Sequence, residues 1–296
     1  MTPTTSTTAA GDSSAVNLDQ AIRFFDALLS PGDTILIRPI ETWIEAGKKK
    51  SRTDYRGTRY DLIGAKNGDG TWHPTPERLS RVLRQVGARS AGEKTNVFYG
   101  VCPRIGGSGR YDQAWQIRTA RVLWADIDDC TVDKALKRIE AAGLPVPSII
   151  VASGNGAHVY WRLAEPYLID DCPAPEPVYT EWIDGGKGKK KKRRLYILDG
   201  KEKLYVDVPH NRPALSPKAQ AIQDILAGIA AKIGGDHTTD LARLLRVPGT
   251  LNRKDQRNGK EPKPCTLVEC DPSRRYPSTR QATRSILPCD SPRRRS

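Results

Sequence analysis

The chain has 296 residues, 38% of them hydrophobic, enough for one large domain or two modest ones. Lys and Arg number 48 against 34 Asp and Glu, so the net charge is +14 and the pI about 9.6; an anionic partner is favoured, nucleic acid first. No stretch approaches the roughly 18 apolar residues of a spanning helix, which excludes a membrane role of that kind. None of the six cysteines lies in a C-x-x-C pair, which argues against a structural zinc site and a disulfide framework and points to reduced, cytoplasmic thiols.

In chain order, residues 1–16 are polar, lack the apolar region of a secretory leader and read as a disordered lead-in. Residues 17–30 carry Ile22, Phe25, Leu28 and Leu29 at helical spacing, closed by Pro31-Gly32. Residues 34–43 alternate as a strand does, 76–87 predict a helix, and NVFYGVCP (96–103) predicts a strand. A strand over 118–128, a helix over 132–144 and strands over 147–154 and 158–163 follow. Residues 166–213 read as inserted. In them YTEWI and RRLYIL form a hairpin-like pair around a basic run, which places a basic hairpin at about 176–208. A helix over 216–235 ends in glycines. Residues 236–254 predict a short helix capped by Thr238 or Thr239, carrying Arg243 and Arg246 one turn apart. CTLVEC (265–270) reads as a last strand, and 271–296 as a basic, disordered tail. The tryptophans read as core or sheet-face residues.

Three constellations carry chemistry. VLWADIDDC places Asp126 and Asp128 two apart on a strand, hence on one face. Paired carboxylates at a strand end make half a site for a hard divalent cation such as Mg²⁺, which takes one or two protein carboxylates plus substrate phosphates. Taken alone, the pair reads equally well as a strand end entering a turn. Asp129 falls on the opposite face and reads as a turn residue. SGNGAH joins two strands. Ser153, Gly154, Asn155 and Gly156 could turn backbone N–H groups toward a phosphate, with His158 beginning the next strand; a plain hairpin turn is the other reading. In DHTTDLARLLRVPGTLNRK, planar guanidinium forks at Arg243 and Arg246 suit triphosphate oxygens, while a basic surface helix with a Pro-Gly stop is the alternative.

Taken together and in this order, the three resemble the motifs of the archaeo-eukaryotic primase superfamily, particularly plasmid and phage primases and primase-polymerases. The match covers residues 96–254, and NVFYGVCPR ahead of the first acid fits it too. The resemblance implies an α+β fold: an RRM-like antiparallel or mixed sheet with helices packed on it, preceded by an N-terminal α/β extension, all within 17–270. It implies that Asp126, Asp128 and Asp236 hold two Mg²⁺ or Mn²⁺ ions. It places Ser153, Gly154, Asn155, Gly156, His158, Arg243, Arg246 and Asn252 at the nucleotide; Asn252 stands where cellular primases carry a histidine.

The implied activity is template-directed nucleotidyl transfer, making primers from NTPs or dNTPs on single-stranded DNA during plasmid or phage replication in a bacterial cytoplasm. The run Lys189, Lys190, Lys191, Lys192, Arg193, Arg194 would then grip template phosphates. No G-x-x-x-x-G-K-[ST] loop is present. The chain is thus either a stand-alone primase or a fragment of something longer, and the implied helicase partner would be on another chain. The competing readings are a non-catalytic DNA-binding replication initiator and an end-joining-type repair polymerase.

Overall fold

The computed structural model describes residues 17–30, 33–46, 48–53, 65–66, 72–73, 80–85, 87–88, 95–106, 111–172, 176–186, 191–237, 239–254, 256 and 259–277. Its elements begin with α1 (Leu18–Leu28), β1 (Ile37–Glu45), β2 (Lys48–Thr53), the bridged pair β3 (Ala65–Lys66) and β4 (Trp72–His73), and β5 (Thr95–Gly100). Then come β6 (Thr119–Asp128), α2 (Val132–Ala141), β7 (Ile149–Ala152) and β8 (Gly156–Leu168). An inserted meander, β9 (Tyr179–Ile183), β10 (Lys192–Asp199) and β11 (Glu202–Tyr205), precedes α3 (Pro217–Ile233). The chain closes with β12 (Leu244–Arg246), β13 (Leu251–Asn252), β14 (Lys263–Pro264) and β15 (Thr266–Cys270).

The fold is α+β, built on antiparallel sheets. Among the described residues the two largest sheets have four strands each, ordered β12-β5-β1-β2 and β15-β7-β8-β6. The N-terminal α/β segment joins a sheet with later strands: β1 pairs with β5 and β5 with β12, so residues near 40, 98 and 245 share one sheet. The helices begin where their caps say they should. Asn17 accepts from the Gln20 amide, Thr131 from Lys134 and Ser216 from Ala219, each cap satisfying an orphan N–H for about 1 kcal/mol. Helix α3 stops at Gly234, in the left-handed region at φ 62°.

The two sheets meet through aromatic side chains. On α1, Phe24 and Phe25 pack edge-to-face on Tyr99 of β5, and Phe24 also on Tyr160 of β8, with centroids 5.2–5.5 Å apart. The Tyr99 hydroxyl donates to that of Tyr160 at 2.9 Å. All four rings are buried, and such pairs add about 0.5–1.5 kcal/mol each beyond area burial. Helices α2 and α3 pack on each other and against β6–β8.

Most expected elements form, with three departures. The short helix expected after residue 236 is absent. Leu244–Arg246 is instead an edge strand paired with Phe98–Gly100, and Arg243 belongs to a turn closed by Asp240. A helix this short cannot recover its nucleation cost, whereas strand pairing buries Leu245 completely. Trp124 and Trp161 are core residues as expected, but Trp182 is 64% exposed. Residues 271–277, assigned by sequence to the tail, close a sheet edge: Tyr276 bonds Arg162 and Ala164 through its main chain and donates its hydroxyl to the Val146 carbonyl. The lead-in 1–16, residues 278–296 and the first residues of the expected helix 76–87 lie outside the described residues; residues 80–85 of that helix are helical. Among the described residues no helix is long and apolar enough to cross a membrane.

Candidate active site

Strand β6 enters the core with Leu123, Trp124, Ala125 and Ile127 buried, and delivers Asp126 into the same environment at 8% exposure. Asp128, two residues on and on the same face, is exposed. Strand β8 runs antiparallel beside it, placing His158 opposite Asp126 and Gly156 opposite Asp128. His158 Nε2 stands 3.5 Å from Asp126 Oδ1, and Arg243 Nη2 stands 3.8 Å from Oδ2. Neither makes a hydrogen bond of normal length, and the buried Oδ1 has no hydrogen-bond partner. Burial pushes the Asp126 carboxyl above the usual carboxylate range; Arg243 and Arg246 oppose the shift and Asp236 adds to it. Burial, reinforced by Arg246, brings His158 down to about 3, so the imidazole is neutral at pH 7.

The distant acid is brought alongside by the backbone. The Asp236 amide donates to the Asp126 carbonyl at 2.8 Å. Gly235 eases this approach, since a Cβ there would lie 3.1 Å from that same carbonyl, a tight contact. The Asp236 carboxylate itself is exposed and accepts from the His237 amide at 2.8 Å. Among the described residues no three His, Cys, Asp or Glu side chains stand close enough together to hold a metal. The residues fit a divalent ion in a narrower way. The donors on the strand face are carboxylate oxygens, the set that suits Mg²⁺ or Mn²⁺, and one of them, the buried Oδ1 of Asp126, has no hydrogen-bond partner.

The loop between β7 and β8 is held on every side. Ser153 N–H donates to Gly156 O at 2.8 Å, and the Asp129 amide to Asn155 O at 2.9 Å. Asp129 thus lies in a turn, with φ 53°. Gly156 is required: a Cβ would sit 2.1 Å from the Ile127 carbonyl. Asn252, placed by sequence at the nucleotide, is buried and donates its side-chain amide to Ser153 O at 2.8 Å, while its Oδ1 accepts from Lys254 N–H. It braces the loop. Lys263 reaches Asn155 Oδ1 at 2.6 Å. A depression of about 570 Å³ opens beside the loop, between Gly154, Asn155, Gly156 and the start of α2 at Thr131 and Lys134.

No family model matches this chain, and no curated protein matches it. Three solved structures are similar to it. One is the AEP domain of the primase-polymerase of cyanophage S-2L, at 15% identity, covering 92% of this chain and 99% of that one with a TM-score of 0.46. Another is the primase RepB′, at 12% identity, covering 90% and 61% with a TM-score of 0.44. A third is the catalytic domain of that primase in complex with initiator DNA, at 12% identity, covering 93% and 94% with a TM-score of 0.44.

Of the sequence-selected residues, Asp126, Asp128, His158 and Arg243 share one locus, with Arg246 beside them over the Phe98 ring at 5.3 Å. The basic run lies elsewhere, on the inserted meander. Lys189 and Lys190 are outside the described residues; Lys191, Lys192 and Arg193 are exposed, and Arg194 is paired with Asp207 at 2.9 Å. Sequence reading missed Arg104. This guanidinium, 4% exposed, donates to Cys102 O at 2.6 Å and to Ala242 O at 3.0 Å. The available signal was an Arg closing an otherwise apolar strand in YGVCPR.

Proposed function

We propose that the protein is a nucleotidyltransferase of the primase or primase-polymerase kind, extending or starting a strand on a single-stranded DNA template. The observation that carries this reading is the Asp126 carboxylate: buried, with one oxygen lacking any hydrogen bond, two residues from Asp128 on the same strand face, and flanked by a neutral histidine and a guanidinium. A buried carboxylate in that condition costs several kcal/mol unless a cation meets it.

A divalent ion held by Asp126 and Asp128 would neutralise charge developing on the α-phosphate as the 3′-hydroxyl oxygen attacks and pyrophosphate leaves. The chain's own groups would position the triphosphate. Arg243 and Arg246 supply guanidinium donors, and neutral His158 supplies a hydrogen bond without competing for the cation. Asn252 and Lys263 keep the Ser153–Gly156 loop in shape. The Asp236 main chain lies against Asp126, while its carboxylate is exposed and accepts from the His237 amide.

That side-chain placement favours one competing reading, a DNA-binding replication module that keeps the fold without the chemistry. The deciding assay incubates the protein with unprimed single-stranded DNA, Mg²⁺ or Mn²⁺, and labelled NTPs or dNTPs in separate reactions. Asp126→Ala/Asp128→Ala should abolish product while leaving DNA binding nearly intact. Synthesis that persists in the double variant removes the assignment. A wild type that makes no product but binds DNA selects the module.

A further inference from the structure

We propose that the outward face of the inserted meander is a stacking platform for single-stranded nucleic acid, separate from the acid site. It rests on the reading above only in taking that nucleic acid to be the template. The meander has a small core of its own, in which Val178, Ile197 and Val206 pack with Trp115, Leu195 and Leu204. Strand alternation then turns the intervening residues outward. On a solvated sheet face these are ordinarily polar. Here the register puts Tyr179, Tyr196 and Tyr205 in one row across all three strands. Tyr179 and Tyr196 stack with centroids 5.5 Å apart, Tyr205 meets Tyr196 edge-on, and Tyr179, at the end of the row, is 40% exposed.

Positive charge lies on two of these rings. The Arg194 guanidinium sits 4.3 Å from the Tyr205 centroid, and Lys203 Nζ 5.0 Å from that of Tyr196. Asp207 and Glu181 hold these cations in place, at 2.9 and 2.8 Å. Ion pairs this exposed are weak, so a phosphate can replace either carboxylate. Cross-strand aromatic pairs also stabilise a sheet, but that accounts for neither the exposed ring of Tyr179 nor the cations over its neighbours. Three aromatic rings in a row, two of them with a cation laid over the ring, match the needs of a flexible polyanion whose bases are free to stack. Duplex DNA hides its bases and offers the rings nothing.

The location fits a template hold. Trp115, which packs in the meander core, and Gln116, which donates to Glu176 O, immediately precede β6. Asp126 lies near the other end of that strand, roughly 23 Å from its start at about 3.3 Å per residue. The meander is thus anchored at the end of β6 away from the acid pair.

The test is fluorescence anisotropy with a labelled oligothymidylate, on the full chain, in parallel with the synthesis assay. Tyr179→Leu/Tyr196→Leu keeps apolar bulk but removes two rings, and should weaken binding about five- to a hundredfold. Tyr179→Phe/Tyr196→Phe should bind as the wild type does. Trp182→Leu, on the opposite face, should also leave binding unchanged. Circular dichroism melts establish that each variant is folded. Binding of the Leu double variant within twofold of wild type, or a loss seen with Trp182→Leu instead, overturns the proposal. If no protein form synthesises a strand while the tyrosine variants still lose binding, the catalytic reading fails and the platform stands.

Discussion

Asp126 and His158 face each other across adjacent antiparallel strands, 3.5 Å apart, both buried and neither hydrogen-bonded to the other. A histidine beside a carboxylate usually becomes charged and pairs with it. Here burial, with Arg246 and Arg243, holds the imidazole down at about 3, and the two side chains form no ion pair at neutral pH. Asp126→Asn should therefore abolish nucleotidyl transfer without loss of stability. In chelator-treated protein it should be neutral or stabilising by about 1 kcal/mol, because a buried charge is removed. The sign with pH follows. Burial raises this pKa, so the carboxyl contributes stability that is complete below its ordinary value of about 3.9 and is lost as pH rises through the raised folded value. Urea titrations of metal-free wild type and variant across acidic pH should show that dependence only in the wild type. A variant much less stable than wild type at neutral pH would make Asp126 a structural residue.

Gly156 is a geometric requirement for the acid pair. Its partner across the strands is Asp128, and any side chain would run into the Ile127 carbonyl. Gly156→Ala should cost about 1–3 kcal/mol by overpacking and should depress activity by shifting Asp128 relative to Asp126. Chemical denaturation and synthesis rates on the same preparation check this; a variant as stable and active as wild type would mean the hairpin tolerates a different register.

Much of the site hairpin was legible because its signals are local. Alternation sets the face shared by Asp126 and Asp128, and Gly-Asn-Gly marks the turn before His158. What was not legible depended on pairing across long stretches of chain. R-L-L-R fits a helical turn as well as a strand, and only the unpaired edge of β5, some 145 residues earlier by residue number, decides for the strand. Nothing local says that Asn252 will find the carbonyl of Ser153. The tyrosine row is invisible for the same reason: its members are spread over three strands, and register alone aligns them.

Asn252 gives a prediction that separates bracing from nucleotide contact. Its amide is committed to the buried Ser153 carbonyl and its own carbonyl to the Lys254 N–H, in a half-buried bond. Asn252→Ala should cost about 1–3 kcal/mol, leaving the buried Ser153 carbonyl unsatisfied, and should raise the KM for nucleotide through a loosened loop. Asn252→Asp should be as damaging, since a carboxylate cannot donate to the Ser153 carbonyl. If Asn252→Ala raises KM with stability unchanged, direct nucleotide contact is the better account.

Arg104 is the other long-range brace, and it acts on the opposite wall. Its guanidinium ties Cys102 O to Ala242 O, while the Val101 amide donates to Arg243 O at 3.0 Å. The turn that presents Arg243 to Asp126 is thereby fastened to the end of β5. Gly100 leaves the room, since a Cβ there would come within 2.7 Å of Arg104 Nη2. Burial lowers the pKa of this guanidinium, and two carbonyls depend on it. Arg104→Lys cannot span both acceptors with one ammonium and should lose about 2–3 kcal/mol, while Arg104→Met, which abandons both carbonyls, should lose about 3–5 kcal/mol. Synthesis should fall in both through a higher KM for nucleotide, because Arg243 is displaced while the acids are untouched. Equilibrium denaturation and steady-state kinetics on both variants decide the matter. A fall in kcat at constant KM would mean that Arg104 does not act through the Arg243 turn.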